Sequence, residues 1–456
     1  MNRPFLYRLA WGCLVVTSLA SSAAHATNGM ALSGYGPIAM AMGGAAVAYD
    51  SGNSGAINNP ATLALMPQGA RFEVDVNMMH VDAETWMSGV GSASSEAEWF
   101  AMPSISYIVK SGRVSYGLGV FSQGGMGANY GKKSFLSADP VSGEPTGLPD
   151  ESEVMIGRLI LPWALEVNDR LSIGASFDAV YGRMTMKQLV SRQGLFDMVL
   201  PGRQTLGVAT FDLAAIVGLG PTALRLAGAN YAHFDLDKLD GWGVGGQVGL
   251  VFRASDTLAF GASYQFETHL EDLEADDASI HAGRGSNFVG IPGSAAIEDF
   301  QWPATIKVGA AWQATERLLL VADIKHYRWS DVLDSLKIRF EPHTGGTINI
   351  EMYQEWDDQT VFSIGGEYRL TPRVRLRAGF NYGKDPVPEN YLQHLAEAIT
   401  EKHLMLGAGV RVGKRGQFDL AYVHAFEAEE TNTNPLIGLT SSMSQDSVNL
   451  SYSHRF

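Results

Sequence analysis

Very little in this 456-residue chain is spaced to make or break a covalent bond. Eleven histidines supply no H-E-x-x-H pair for a catalytic metal, and no G-x-S-x-G elbow presents a serine nucleophile. Gly241-x-Gly243-x-x-Gly246 spells a dinucleotide fingerprint, but without the strand, turn and helix around it that spelling reads as a glycine-rich strand. The one cysteine, Cys13, lies in a segment expected to be cleaved, which removes disulfides, thiol catalysis and cysteine metal sites. The expectation is therefore a protein that is not an enzyme, with no cofactor and no metal. What remains is binding chemistry. Strand parity puts Arg158 and Lys307 on an inward face, where a cation in an apolar pocket would hold a carboxylate by charge-assisted hydrogen bonding. Asp178, Glu267, Glu367, Arg375, Arg377 and Asp419 fall inward as well, and such charges commonly pair with each other. Apolar ligand contacts are expected from Met30, Leu32, Ile38 and Met40 near the N-terminus, and capture from Leu195, Phe196, Met198, Val199 and Leu200 in a long loop.

The elements that must carry these residues follow from export. Residues 1–26 read as a signal peptide: Arg3 and Arg8 form the basic start, Leu9 to Ala20 the apolar stretch and Ala24-His25-Ala26 the cleavage site. The formal net charge of −15, more negative still without those arginines, argues against nucleic acid as a partner. No second apolar run approaches the roughly 18 to 20 residues of a membrane helix. Export then leaves a secreted soluble protein or an outer-membrane β-barrel.

Alternation and connection lengths decide for the barrel. Leu258, Phe260, Ala262, Tyr264 and Phe266 alternate with small or polar residues, and so do Val374, Leu376, Ala378, Phe380 and Tyr382. Fourteen such strands fall near 70–82, 97–110, 113–124, 152–167, 170–184, 241–254, 257–270, 302–315, 317–329, 358–371, 373–384, 401–413, 416–427 and 444–456. Tight turns follow the even strands and long loops the odd ones, the pattern of periplasmic turns and extracellular loops. Trp99, Trp242 and Trp302 are expected at the outer rim facing lipid, Trp163 and Trp312 at the opposite rim. Trp329 breaks parity, which predicts a bulge or an end outside the bilayer. Loop 271–301 is read as a solvated acidic loop, with divalent-ion bridging to lipid headgroups as the alternative. Loop 185–240 is expected to hold a helix from Thr210 to Leu219, ended by Gly220-Pro221.

Residues 27–69 hold eight glycines, one acidic residue, Asp50, and no Lys or Arg. A segment so poor in charge has to pack somewhere sheltered, and the lumen of a fourteen-strand barrel is the available volume. The fold class read from the sequence is thus all-β: a fourteen-stranded antiparallel transmembrane barrel, 70–456, with an N-terminal hatch, 27–69.

Ala26-Thr27-Asn28-Gly29, Gly34-Tyr35-Gly36-Pro37, Met42-Gly43-Gly44-Ala45 and, most diagnostic, Asn59-Pro60-Ala61 after Asn58 resemble the hatch of the outer-membrane long-chain fatty acid and aromatic hydrocarbon transporters. Trp302-Pro303-Ala304-Thr305, Arg328-Trp329-Ser330 and Asp385-Pro386-Val387-Pro388 resemble the same family farther along. The resemblance implies passive uptake of a hydrophobic molecule by a monomer: capture by apolar loops, binding above the hatch, and sideways release beside a kinked third strand. Gly117, Gly119, Gly124 and Gly125 in that strand fit a kink, or simply make room for the hatch. The last strand has Tyr452 and the terminal Phe456 on one face, which resembles the signal read by the barrel-assembly machinery. Membrane lipid and lipopolysaccharide are the implied surroundings. A general porin and an outer-membrane lipase remain as rival classes; the uncharged hatch argues against the first and the missing serine elbow against the second.

Overall fold

The computed structural model describes residues 28–456. The expected signal peptide, with Cys13, lies outside the described residues. Fourteen strands, numbered here in chain order, form the wall: Gly69–Met87, Trp99–Ser111, Val114–Gly131, Asp150–Glu166, Leu171–Ser191, Tyr231–Arg253, Leu258–Gln265, Thr305–Gln313, Leu318–Tyr327, Gln359–Arg369, Val374–Gly383, Lys402–Val412, Gly416–Thr431 and Thr440–Arg455. Each pairs antiparallel with the next, and strand 14 pairs with strand 1 from Arg71↔Arg455 to Trp86↔Thr440, so the sheet closes on itself and leaves no edge. The Phe456 N–H donates to the Ala70 carbonyl (2.9 Å) and finishes the seam.

Alternation is what makes this a membrane barrel. Leu376, Phe380 and Tyr382 stand exposed on the outside of strand 11 while Arg377 and Asn381 are buried inside it. Trp99, Trp242, Trp163 and Trp312 face outward as expected. Trp302 does not. Strand 8 begins only at Thr305, because Trp302 and Thr268 tie the preceding segment inward: the Trp302 N–H donates to the Thr268 hydroxyl at 2.7 Å. The indole is buried, edge-on to Trp329 at 5.4 Å. Trp329 lies past the end of strand 9 in a short 3-10 turn, Trp329–Asp331, which accounts for its parity.

The extracellular connections are less loop-like than the sequence suggests. Strands 5 and 6 run on beyond the wall, and six-stranded pairing continues sideways from upper strand 6 through Leu273–Arg284, Asn287–Glu298, Ser335–Pro342, Ile348–Tyr353 and Gly207–Phe211. Segment 271–301 is therefore a hairpin of this outer sheet, not a solvated loop. Its acids are answered by the neighbouring strand: Arg339 reaches Glu298 at 2.7 Å and Glu274 at 3.7 Å, and Lys337 reaches Asp299 at 3.1 Å. The helix expected from Thr210 starts later, at Leu213, because Thr210 pairs with Asn349 in the sheet and Asp212 caps the helix by accepting from the Ala215 N–H. It stops at Gly220, whose φ of 50° no β-branched residue would adopt readily.

Residues 28–68 lie inside the ring as short pieces: a helix Pro37–Ala41, a helix Gly55–Asn58 and a 3-10 turn Pro60–Leu65. Their backbone comes so near the wall that glycine is required there. A Cβ on Gly261 would sit 1.9 Å from the Val47 carbonyl, and one on Gly379 would sit 2.0 Å from the Gly43 nitrogen.

Candidate functional site

The lumen segment is anchored by polar contacts around the barrel, including the flank of strands 6, 8 and 9. Asn59 Nδ2 donates to Val47 O (2.7 Å) within the segment and to Leu250 O (3.2 Å) on strand 6, while its Oδ1 accepts from the Ala61 N–H and so begins the 3-10 turn that Pro60 opens. Gln247 donates to Asn58 O at 2.9 Å. Asp323 accepts from the Ala46 and Val47 N–H groups, and Lys325 donates to Ser33 O at 2.8 Å. At the periplasmic end Arg71 grips Asp50 with two 3.0 Å bonds.

Both cations proposed as ligand contacts have protein partners, Lys307 in the lumen segment and Arg158 in the wall. Lys307 Nζ lies 3.3 Å from both Ile57 O and Asn58 O. Arg158 is buried against Asp178 at 2.8 Å and Gln123. Neither lines a cavity described below. The other inward charges pair too, Arg377 with Asp419 (2.7 Å) and Glu367 (2.8 Å), and Arg375 with Glu367 (3.1 Å). Glu267 lies past the end of strand 7 and is exposed, so it is not a lumen charge.

Two apolar spaces lie above the lumen segment. The outer one, about 620 Å³, is a groove between loop 132–149, upper strand 5, the helix Arg192–Val199 and residues 436–439. Asp139 at its edge accepts from the N–H groups of Gly285, Val141 and Ser142 and from Asn230; burial opposes its charge, and these donors more than offset that, holding the carboxyl below its usual range. The inner space, about 70 Å³, is walled by Met30, Met126, Met184, Met186, Phe300 and Trp356 among others, and no charged side chain lines it. Methionine suits such a wall because its flexible, polarisable thioether adapts to ligands of different shape. Trp356 packs edge-on to Trp329 at 5.4 Å, which fixes one side of the cavity.

Of the residues singled out from sequence, the structure brings only Met30 to the inner cavity and Met198 to the groove. Leu32 is buried elsewhere in the main apolar core, Ile38 is half-buried, and Met40 packs on Met405, Ala421 and Val423 of strands 12 and 13. Leu195 is partly buried beside Met198, whereas Phe196, Val199 and Leu200 point to solvent. The wall methionines 126, 184 and 186 went unrecognised, although they sit on lumen parity at the upper ends of strands longer than a bilayer needs.

Strand 3 behaves in two parts. Up to Phe121 it pairs with strand 2. Beyond that it pairs only with strand 4 within the wall, the register slips between Ser122 and Gly124, and Gly124 bridges Ala31 of the lumen segment. Gly117 and Gly119 lie in the regular ladder below, Gly124 and Gly125 at the slip. Beside upper strand 2 and the departing strand 3 is a space of about 560 Å³, lined by Trp99, Phe100, Ala128 and Asn129 and by seven charged residues, among them Glu151, Lys187 and Asp237 of strands 4 to 6.

Among the described residues no group of three or more His, Cys, Asp or Glu side chains is placed to hold a metal ion. The crystal structure of the toluene transporter TodX of Pseudomonas putida matches with a TM-score of 0.81 and 28% identity over 93% of this chain and 99% of that one. The toluene transporter TbuX of Ralstonia pickettii matches with a TM-score of 0.77 and 28% identity, over 93% of this chain and 99% of that chain. Outer membrane protein P1 of Haemophilus influenzae is 23% identical over 66% of this chain, and the match spans 61% of that curated relative's length. The family model described as outer membrane protein transport protein (OMPP1/FadL/TodX) matches residues 13–452, and with the closed fourteen-stranded wall this makes the chain an outer-membrane β-barrel belonging to that family.

Proposed function

We propose that this chain passively carries small uncharged hydrocarbons, monoaromatics foremost, across the outer membrane. The observation that carries this reading is the inner cavity without a charged lining residue. A fatty acid would have to leave its carboxylate there unpaired, at a cost that apolar burial of its chain has to overcome, whereas an aromatic ring loses nothing. The toluene transporters it resembles support the same cargo. Substrate collects in the outer groove beside Met198, moves to the cavity above Met30, and leaves sideways between strands 2 and 3. Residues 1–26 serve as the export signal and 27–69 as the hatch that keeps the lumen closed to ions. Tyr452 and Phe456, on the outer face of the closing strand, present the assembly signal, and the closed ring supports a monomer in a layer of lipid and lipopolysaccharide.

The experiment is uptake of radiolabelled toluene and oleate by cells lacking their own transporter, with and without this gene. Faster toluene uptake with unchanged oleate uptake is the expected result. Oleate accelerated alone, or neither, with the barrel folded in the outer membrane, overturns it.

A further inference from the structure

The connection between strands 11 and 12 does not stand clear of the barrel. Its foot is the Asp385-Pro386-Val387-Pro388 run, where Asp385 accepts from the Val387 N–H at 3.1 Å and Pro386 O accepts from the Asp357 N–H at 2.8 Å. Two fixed proline φ angles stiffen that foot. The chain then crosses the mouth, with Leu392, Leu395, Ala398, Ile399 and Thr400 all buried. On the far side it is fastened to strands 1, 3 and 4. Glu397 Oε1 accepts from the Thr85 hydroxyl (2.7 Å) and the Tyr130 hydroxyl (3.0 Å), His394 Nε2 meets Asp150 at 2.8 Å, and the Ser152 hydroxyl donates to Leu395 O. Asn432 holds the near side through Leu392 O.

The outer groove and the inner cavity share three lining residues, Gln188, Met352 and Gln393. Gln188 Nε2 faces Gln393 Oε1 at 3.5 Å, a stretched hydrogen bond, and the Gln188 Oε1 is buried without a partner. A weak amide pair thus stands where groove and cavity meet, and one of its two members rides on the crossing segment.

We propose that the Gln188–Gln393 pair is the gate between groove and cavity, and that segment 392–400 is the strap that holds it shut. The proposal rests on the transport reading above. A molecule moving inward has to part the two carboxamides beside Met352, and the strap decides how far Gln393 can withdraw. An apolar solute gives nothing back to the separated amides, so opening is a fluctuation of the strap and sets the rate of filling more than its extent.

The strap's fastening has a direction in pH. Glu397 is faced by Tyr130 from strand 3, by His394 on the strap with Asp150 of strand 4 behind it, and by the neutral hydroxyls of Thr85 and Ser441; its Oε2 has no partner. Burial pushes its carboxyl up from 4.5 to about 7. For His394 burial favours the neutral ring, but Asp150 and Glu397 outweigh it and raise the imidazole above 6.5. Both groups hold their protons more tightly with the strap closed. The closed strap is therefore fully supported below the ordinary value of each group and loses that support as pH rises, for Glu397 between 4.5 and about 7 and for His394 from 6.5 upward.

The test uses the mature protein purified from outer membranes, where, with Cys13 removed in the signal peptide, only engineered thiols react. Bromobenzene is the probe, because its heavy atom quenches the indole of Trp356 in the inner cavity, and Trp356→Phe supplies the background. Gln188→Cys with Gln393→Cys, joined by a bis-methanethiosulfonate reagent, is expected to slow quenching about tenfold or more, with dithiothreitol restoring the rate. Gln393→Ala is expected to speed quenching severalfold and leave its final extent unchanged. Filling of the unaltered protein is expected to quicken as pH rises from 4.5 to about 7, and Glu397→Gln to flatten that part of the rise. Crosslinked protein that fills at the uncrosslinked rate overturns the gate alone. Absence of Trp356 quenching in the unaltered protein overturns the hydrocarbon reading and the gate with it.

Discussion

The Gly125 N–H donates to the Met30 carbonyl at 3.1 Å, so strand 3 is fastened to the lumen segment just where it has parted from strand 2. The same few residues shape the inner cavity through Met30 and open the wall beside Phe100. A Cβ on Gly124 would lie 2.2 Å from the Met30 carbonyl and 2.7 Å from Trp302. Gly124→Val should therefore push the two apart, lower barrel stability by about 1–3 kcal/mol and cut hydrocarbon uptake. Heat modifiability on gels reads the first effect and radiolabelled toluene uptake the second; uptake at the native level in this variant would detach the slip from transport.

Asn59 is the polar centre of the anchored flank, bonded to Val47 O and Leu250 O. Asn59→Ala removes those bonds and leaves buried carbonyls behind, a loss of about 1–3 kcal/mol that falls on the lumen segment and not on the wall. The barrel should stay heat-modifiable while single-channel recordings show new ion-conducting openings. Silent bilayers would mean the segment is held well enough without it.

Arg158 and Lys307 separate structure from ligand recognition. Arg158→Met strands a buried Asp178 and should cost about 3–5 kcal/mol. Lys307→Met removes only a donor to two carbonyls. Bromobenzene affinity of the folded protein should be unchanged in both, by equilibrium quenching of Trp356, and a loss of affinity in Lys307→Met would restore it as a ligand contact.

The cavity can be filled from its own wall. Met184→Trp puts a larger ring into a space of about 70 Å³. Overpacking should cost about 1–3 kcal/mol while abolishing inner binding and leaving apolar dyes free to bind in the groove. A variant that still takes up toluene would send the route elsewhere.

The wall was legible because its signal repeats: period-two alternation recurs along the strands and a short turn follows every second one, so a misjudged end such as Trp302 does not disturb the count. The tryptophan itself misled because its parity fits a lipid-facing girdle, and nothing local reveals that Thr268, some thirty residues away, draws it inward. The outer sheet was missed for a related reason. Leu273–Arg284 carries acids on both faces, and its ladder is made with upper strand 6 and Asn287–Glu298, while Glu274 meets Arg339 of a strand distant in sequence. Of the site, Met30 was found through the charge-poor N-terminal segment, whereas Gln188, Gln393 and Met352 meet from three segments far apart in sequence and carry no pattern of their own.

Phe456 meets Ala70 where the ring closes, and Ala70 is also where the chain emerges from the lumen. Phe456 thus completes its pairing beside the segment that fills the interior. Gly69, at φ 110° and with no room for a Cβ against the Phe456 carbonyl, turns the chain between the two. The stopper and the zip of the wall thus share a single corner of the chain, Gly69-Ala70 against Phe456.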